Sequence, residues 1–168
     1  MDSIGIVIIG QNEGQRLLEC IASARGASDR IVYVDSASAD GSPAAAGRMG
    51  CEVIELDPAR PFTAARARNE GFRRLLDLWP DTANVQFVDG DCVLAADWPA
   101  RAGLELERDP GLALVCGHLR ERAPRESIYN RLCALEWKAA AGEIDSCGGI
   151  FMIRACAFDS VGGFDPSM

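Results

Sequence analysis

Apolar runs separated by polar, turn-forming stretches set the rhythm of this chain. Residues 4–9 are apolar apart from Gly5, and Gly10-Gln11-Asn12-Glu13-Gly14 ends that run before Leu17, Leu18, Ile21 and Ala22 recur at helical spacing. Ile31-Val32-Tyr33-Val34 reads as a second strand, and the loop over 35–42 is rich in capping residues. It leads into a short Ala-rich helix over 43–49, with Pro43 suited to the first turn. Over 51–56, Cys51, Val53 and Ile54 are interspersed with Glu52 and Glu55, which predicts a third strand near a sheet edge. A longer helix is predicted over 63–78, with Ala64, Ala67, Gly71, Leu75 and Leu78 along one face. Val85-Gln86-Phe87-Val88 gives a fourth strand, 98–108 a helix, 112–116 another apolar run, 126–140 a helix, 149–153 a last strand and 155–161 a last helix.

Strands alternating with helices predict an α/β fold, a mainly parallel sheet with helices covering both faces. No internal repeat, low-complexity segment or linker interrupts the 168 residues, so one domain over 1–168 is the simplest organisation, its second half the more irregular.

Composition narrows the function. A net charge of -8 and a pI near 4.7 argue against a nucleic-acid surface, which shows a basic patch or stripe. Phosphate-bearing small ligands remain open, because a bound divalent cation inverts the local charge logic. Seven cysteines, at 20, 51, 92, 116, 133, 147 and 156, form no Cys-x-x-Cys pair, and most lie in or beside apolar runs. They read as buried reduced thiols, which places the chain in a reducing cytosol. The N-terminus lacks a basic region before its apolar run, and no window approaches the roughly 18 apolar residues of a membrane span, so the expectation is a soluble chain.

The chemistry concentrates at Asp89-Gly90-Asp91, directly after the fourth strand. In an open α/β sheet ligands bind outside the carboxyl ends of the strands, and two carboxylates flanking a glycine suit a hard cation, Mg²⁺ or Mn²⁺, that also holds phosphate oxygens. A plain surface turn uses the same residue types. Asp35 stands at the end of the second strand, and Asn12 and Glu13 follow the first, so three strand ends send polar groups toward one edge. Singly, Asp35 also fits a capped loop and Asn12-Glu13 a helix start. His118, the sole histidine, reads as structural.

Five segments occur in an order that resembles family 2 glycosyltransferases. They are Ile6-Val7-Ile8-Ile9-Gly10-Gln11-Asn12-Glu13-Gly14, the loop from Val34 through Ser42, Ala67-Arg68-Asn69-Glu70-Gly71, Asp89-Gly90-Asp91, and Gly148-Gly149 through Gly162-Gly163-Phe164-Asp165. The resemblance spans essentially the whole chain. It implies a GT-A fold, a Rossmann-like three-layer α/β/α sandwich, and inverting transfer of a sugar from a nucleoside-diphosphate donor, typically a UDP-sugar, to an acceptor hydroxyl. By that resemblance Asn12 and Glu13 border the nucleoside pocket and Asp35 accepts a hydrogen bond from the base. Asp89 meets the ribose or the metal shell, and Asp91 ligates the Mn²⁺ or Mg²⁺ that bridges the diphosphate. Arg68 pairs with a phosphate or holds Asp35; an exposed helix arginine is the competing reading. Gly148 and Gly149 would line the acceptor side by letting backbone approach the ligand, or else form a tight turn. The acceptor is unspecified, as is the oligomeric state, and the enzyme would work in the cytoplasm, in some members at the membrane face.

The family's general base lies downstream of the Gly-Gly-Phe-Asp segment, so the expectation is that it falls beyond Met168 and that the chain is a truncated enzyme. Two other readings compete. A sugar-phosphate nucleotidyltransferase would carry a basic, Gly-rich loop after its first strand, where this chain has an acid and no lysine. A non-catalytic nucleotide-sugar-binding or regulatory domain would account for an absent base.

Overall fold

The computed structural model describes residues 3–137 and 141–166. A six-stranded sheet with the order β3-β2-β1-β4-β6-β5 forms the centre. Its strands are β1 (Ile4–Gly10), β2 (Ile31–Asp35), β3 (Glu52–Glu55), β4 (Asn84–Asp89), β5 (Leu114–Cys116) and β6 (Phe151–Arg154). The helices are α1 (Gln15–Arg25), α2 (Ser42–Arg48), α3 (Ala64–Leu78), α4 (Trp98–Arg108), α5 (Ile128–Glu136) and α6 (Ala155–Ser160).

The uninterrupted apolar runs of β1 and β2 follow from burial on both faces. Ile6 and Ile8 point to one side and pack with Leu17, Cys20 and Ile21 of α1. Val7 and Ile9 point to the other and pack with Ala67, Phe72 and Leu75 of α3. Full burial of each such side chain contributes about 1.5–3 kcal/mol. Thr63 starts α3 by accepting a hydrogen bond from the Arg66 amide at 3.1 Å, a cap worth about 1 kcal/mol. Gly71 lets this helix lie close on the sheet, since a Cβ there would stand 2.4 Å from Val7 Cγ1. Pro80 disfavours helical backbone at Trp79 and stops α3.

β1, β2 and β3 run parallel and step outward in one direction, and α3 then carries the chain back so that β4 joins the opposite side of β1, again parallel. A reversal of this kind opens a crevice at the carboxyl ends of the two central strands. The second half departs from parallel pairing, because β6 runs antiparallel to both β4 and β5. The end of β5 and the start of β6 both lie beside the carboxyl end of β4, at the crevice edge. Gln86, wholly buried in β4, ties α4 to the sheet by donating to the Phe87 and Phe151 carbonyls and accepting from Trp98 Nε1 at 2.7 Å.

The edge strand expected over 51–56 is β3, at the sheet margin. The helix expected over 126–140 is α5, nine residues long, and 138–140 lie outside the described residues. The expectation of buried cysteines is corrected. Cys20 and Cys51 are buried, Cys92, Cys116 and Cys133 are half-buried, and Cys147 and Cys156 are exposed, all seven as free thiols. Cys147 lies outside any regular element, and Cys156 sits on the outer side of α6, where an adjacent apolar run does not confer burial. Among the described residues no helix is long and apolar enough to cross a membrane.

Candidate functional site

The strand register sets three chain ends level. Gly10 pairs with Asp35 and Ile9 with Asp89, so the loops after β1, β2 and β4 emerge side by side. Asp35 is wholly buried. Its Oδ1 accepts from the Tyr33 hydroxyl at 2.7 Å and from the Ser38 hydroxyl at 2.5 Å, and its Oδ2 accepts from the Ser38 amide at 2.7 Å. Burial, reinforced by the bond to Asp35, pushes the Tyr33 hydroxyl well above the usual phenol range. The carboxylate therefore shapes the loop at its own strand end instead of presenting a free edge.

That loop is laced to the one after β1. Asn12, at a left-handed φ of 55°, donates its amide to Ser38 Oγ at 2.8 Å and accepts the Ala39 amide on Oδ1 at 2.8 Å. Gly14 donates to Asp40 Oδ2 at 2.9 Å, and Ser36 donates to the Gly10 carbonyl at 3.0 Å. Hydrogen bonds from Ser42 hold Asp40 below the usual carboxylate range.

At the end of β4 the Gly90 amide donates to the Ile9 carbonyl at 2.8 Å, which locks the Asp89-Gly90-Asp91 turn onto β1. Asp89 Oδ1 accepts from Arg68 Nη2 at 2.7 Å. Its other oxygen faces Gly149, where a Cβ would fall 1.8 Å from Oδ2. Backbone without a side chain is thus required against this carboxylate. The reading of Arg68 as a clamp on Asp35 is corrected: the guanidinium grips Asp89 at the end of β4, on the other side of β1, and Asp35 already has its donors inside β2 and its own loop.

Asp91 is exposed, and its Oδ1 accepts the Cys92 thiol at 3.3 Å. Burial, then the Asp91 charge, pushes that thiol up to about 12. Glu13 lies beneath the turn, its Cγ packed against both Gly10 and Gly90, and pairs with Arg16 at 2.7 Å. Burial raises the Glu13 carboxyl above its ordinary value, Arg16 opposes this, and the charge of Asp91 adds to it. Gly148 packs near Leu119 instead of reaching Asp89. His118 is exposed.

The edge is therefore rich in carboxylate oxygen, with Glu13, Asp40, Asp89 and Asp91 close together. Among the described residues no group of three His, Cys, Asp or Glu side chains is set to hold a metal ion. An exposed Asp91 beside other acids nevertheless fits a hard cation of the kind that takes one or two carboxylates and completes its shell with phosphate oxygens and water.

The Glycosyl transferase family 2 description matches residues 5–154. The chain belongs to glycosyltransferase family 2. Its six-stranded, mostly parallel sheet is the GT-A fold of known glycosyltransferase structures. One is the mannosyltransferase PcManGT of Pyrobaculum calidifontis in complex with GDP-Man and Mn²⁺, at 26% identity and a TM-score of 0.68, covering 96% of this chain and 47% of that one. Another is the glucosyl-3-phosphoglycerate synthase of Mycobacterium tuberculosis in complex with UDP, at 20% identity and a TM-score of 0.67, covering 95% and 59%. A TPR repeat-containing protein of Synechococcus elongatus is 26% identical over 136 residues, 80% of this chain and 32% of that protein. The chain thus spans about a third of this curated relative and about half of the two solved glycosyltransferases.

For this family 2 chain, four participants at the edge carried no assigned role in the sequence reading: Tyr33, Ser38, Asn69 and Cys92. Tyr33, Ser38 and Cys92 sit within three residues of an expected acid, which is a usable signal. The Asn69 partner lies 95 residues away, and nothing in local spacing reveals it.

Proposed function

We propose that this chain binds a nucleoside-diphosphate sugar at the edge formed by β1, β2 and β4 and that it serves the transfer of the sugar to an acceptor hydroxyl with inversion. The observation that carries the reading is the level convergence of three strand ends at the reversal in strand order, with Asp91 exposed beside the anchored Asp89. The nucleoside lies along the laced loops, where Asn12 and the Asp35-shaped loop through Ser38 offer polar edges to the base, and Glu13 supports the turn from below. Asp89, oriented by Arg68 and Gly149, faces the ribose. Asp91 is the residue that would hold Mn²⁺ or Mg²⁺, with Asp89 as the second carboxylate of the turn.

When bound, the cation supplies stabilisation of the negative charge that develops on the departing nucleoside diphosphate. The chain's own residues orient the donor. Arg68 cancels part of the acid excess, and Gly149, with Gly148 preceding it, lets the backbone on the acceptor side lie directly against the Asp89 carboxylate. Inversion requires the acceptor hydroxyl to attack from the face opposite the leaving group while a base takes its proton, and the family pattern sets that base after the Gly-Gly-Phe-Asp segment.

UDP is the leading nucleotide. GDP is the second, supported by the GDP-Man complex of the mannosyltransferase at 26% identity. Calorimetric titration of UDP and GDP into the chain, with Mn²⁺ and then with EDTA, tests the site. Metal-dependent binding of one nucleotide that is lost in Asp91→Asn is the expected result. Absence of binding by either nucleotide, or equal binding in EDTA, would overturn it.

A further inference from the structure

Arg68 holds Asp89 through a single nitrogen, and its Nε is buried without a hydrogen-bond partner. One hydrogen bond leaves a planar guanidinium free to pivot, so its orientation must come from what it packs against. The contact is Phe164, whose ring centroid lies 5.7 Å from Arg68 Cζ, within the range of cation–π attraction. Phe164 is fixed in turn by Asn69, the residue after Arg68 on α3. Asn69 Nδ2 donates to the Phe164 carbonyl at 2.7 Å, and the Phe164 amide donates to Asn69 Oδ1 at 2.9 Å. A buried asparagine that satisfies both main-chain groups of one residue grips that residue in a set position. The ring also meets Phe158, Phe151 and Phe87 edge-on, with centroids 5.4, 6.0 and 6.3 Å away.

A closed circuit results, running from Asp89 to Arg68, to the ring of Phe164, to its backbone, to Asn69 and back along one helix step to Arg68. We infer that Asn69 and Phe164 are positioning residues of the donor site, which set the angle at which Arg68 presents Asp89. The inference rests on the donor-site reading above and deepens it. The Gly162–Asp165 turn, remote in sequence from every strand end of the crevice, thereby joins the nucleotide site. A Phe164 that only completed the aromatic core would have no reason to act through Arg68.

A double-mutant cycle on nucleotide binding separates the two roles. Affinity for UDP and GDP in Mn²⁺ is measured for wild type, Phe164→Leu, Arg68→Gln and the double variant, with Phe164→Trp as the conservative rescue and thermal unfolding as the check on folding. Phe164→Leu should weaken binding about tenfold, Phe164→Trp should restore most of it, and Phe164→Leu should cost nothing further once Arg68 is Gln. Asn69→Ala should reproduce the Phe164→Leu loss. Additive losses in the cycle, or wild-type affinity in Phe164→Leu, would overturn the inference while leaving the donor site standing. A wild-type chain that binds neither nucleotide would overturn both. If a variant does not fold, the Arg68 Nε–H resonance of the wild type decides: a ring-current shift supports the packing, and its absence overturns it.

Discussion

The loops after β1, β2 and β4 are tied to one another by Asn12, Ser38, Asp40 and the Gly90 amide, whereas residues 117–150, which meet the same sheet edge, carry a helix that buries none of its side chains. Ile128 and Tyr129 of α5 are each 77% exposed, and Leu135 is 63% exposed. The helix is held locally, by Ser127 capping the Asn130 amide at 3.1 Å and by Glu121 accepting from Asn130 Nδ2 at 3.0 Å. A solvent-exposed ion pair, Arg122–Glu19, joins this region to α1, and at its far end Gly149 lies against Asp89. The proposed donor edge is specified by long-range polar pairing over a packed sheet, and α5, among the described residues, by local capping and side-chain hydrogen bonds. The first kind of construction fixes side-chain positions well enough for chemistry; the second fixes an element but not a site.

The contrast is sharpest between a side chain buried in the sheet core and one exposed on α5. Leu75→Ala, wholly buried on Gly5 in the sheet that carries the proposed donor edge, should destabilise the fold by about 2–5 kcal/mol in urea unfolding, while Leu135→Ala on α5 should stay within about 0.5 kcal/mol. Equal costs would break the comparison. Next in size, Asp35→Ala removes the acceptor of three hydrogen bonds and leaves the buried Tyr33 hydroxyl without its partner, so a loss of about 2–3 kcal/mol is expected together with loss of nucleotide binding. A variant that keeps full stability would show that the loop does not depend on this carboxylate. Gly149→Ala must displace either Asp89 or the backbone at 149; overpacking of this sort costs about 1–3 kcal/mol, and nucleotide affinity should fall at least about tenfold in calorimetry.

Smallest are two titration effects of opposite sign. Glu13 has its folded-state pKa raised above the ordinary 4.5, chiefly by burial, so the folded state binds the extra proton and stability falls as pH rises from about 4.5 through that raised value. Glu13→Gln should remove this decline, leaving a variant as stable as wild type or slightly more so at neutral pH and converging with it in acid. Glu121 has its pKa lowered, first by the Ala123 amide and then by Asn130, so its contribution is present above 4.5 and is lost as pH falls through the lowered value. Glu121→Gln should therefore be slightly less stable at neutral pH, with the difference vanishing in acid. Chemical denaturation across pH 3 to 8, a range of roughly that width around the carboxylate values, reads both.

The two regions also differed in how much of them could be read from sequence. The strands of the first half, the extent of the helix after Thr63 and the acids at three strand ends were legible, because burial on both sheet faces writes continuous apolar runs and turn chemistry is local. The antiparallel entry of β6 was not, since a short apolar run is the same in either direction. Arg68 is expected on a phosphate or on Asp35 and instead grips Asp89, because Asp35 and Asp89 end the two strands that flank β1 and only the internal donors of Asp35 decide between the acids. Asn69 lies within the Ala67-Arg68-Asn69-Glu70-Gly71 segment, yet its partner sits on a turn 95 residues further on. For α5 the helix was visible and its exposure was not, because an apolar stripe records a preference for burial without stating what is buried against it.

The most direct measurement is the anomalous signal of Mn²⁺ in crystals of the chain grown with Mn²⁺ and UDP or GDP. A single strong peak at ligating distance from the Asp91 carboxylate, between it and the diphosphate, with Arg68 still on Asp89, is the expected result. A peak ligated by other side chains, or a nucleotide bound away from the ends of β1, β2 and β4, would contradict the assignment of this edge as the donor site.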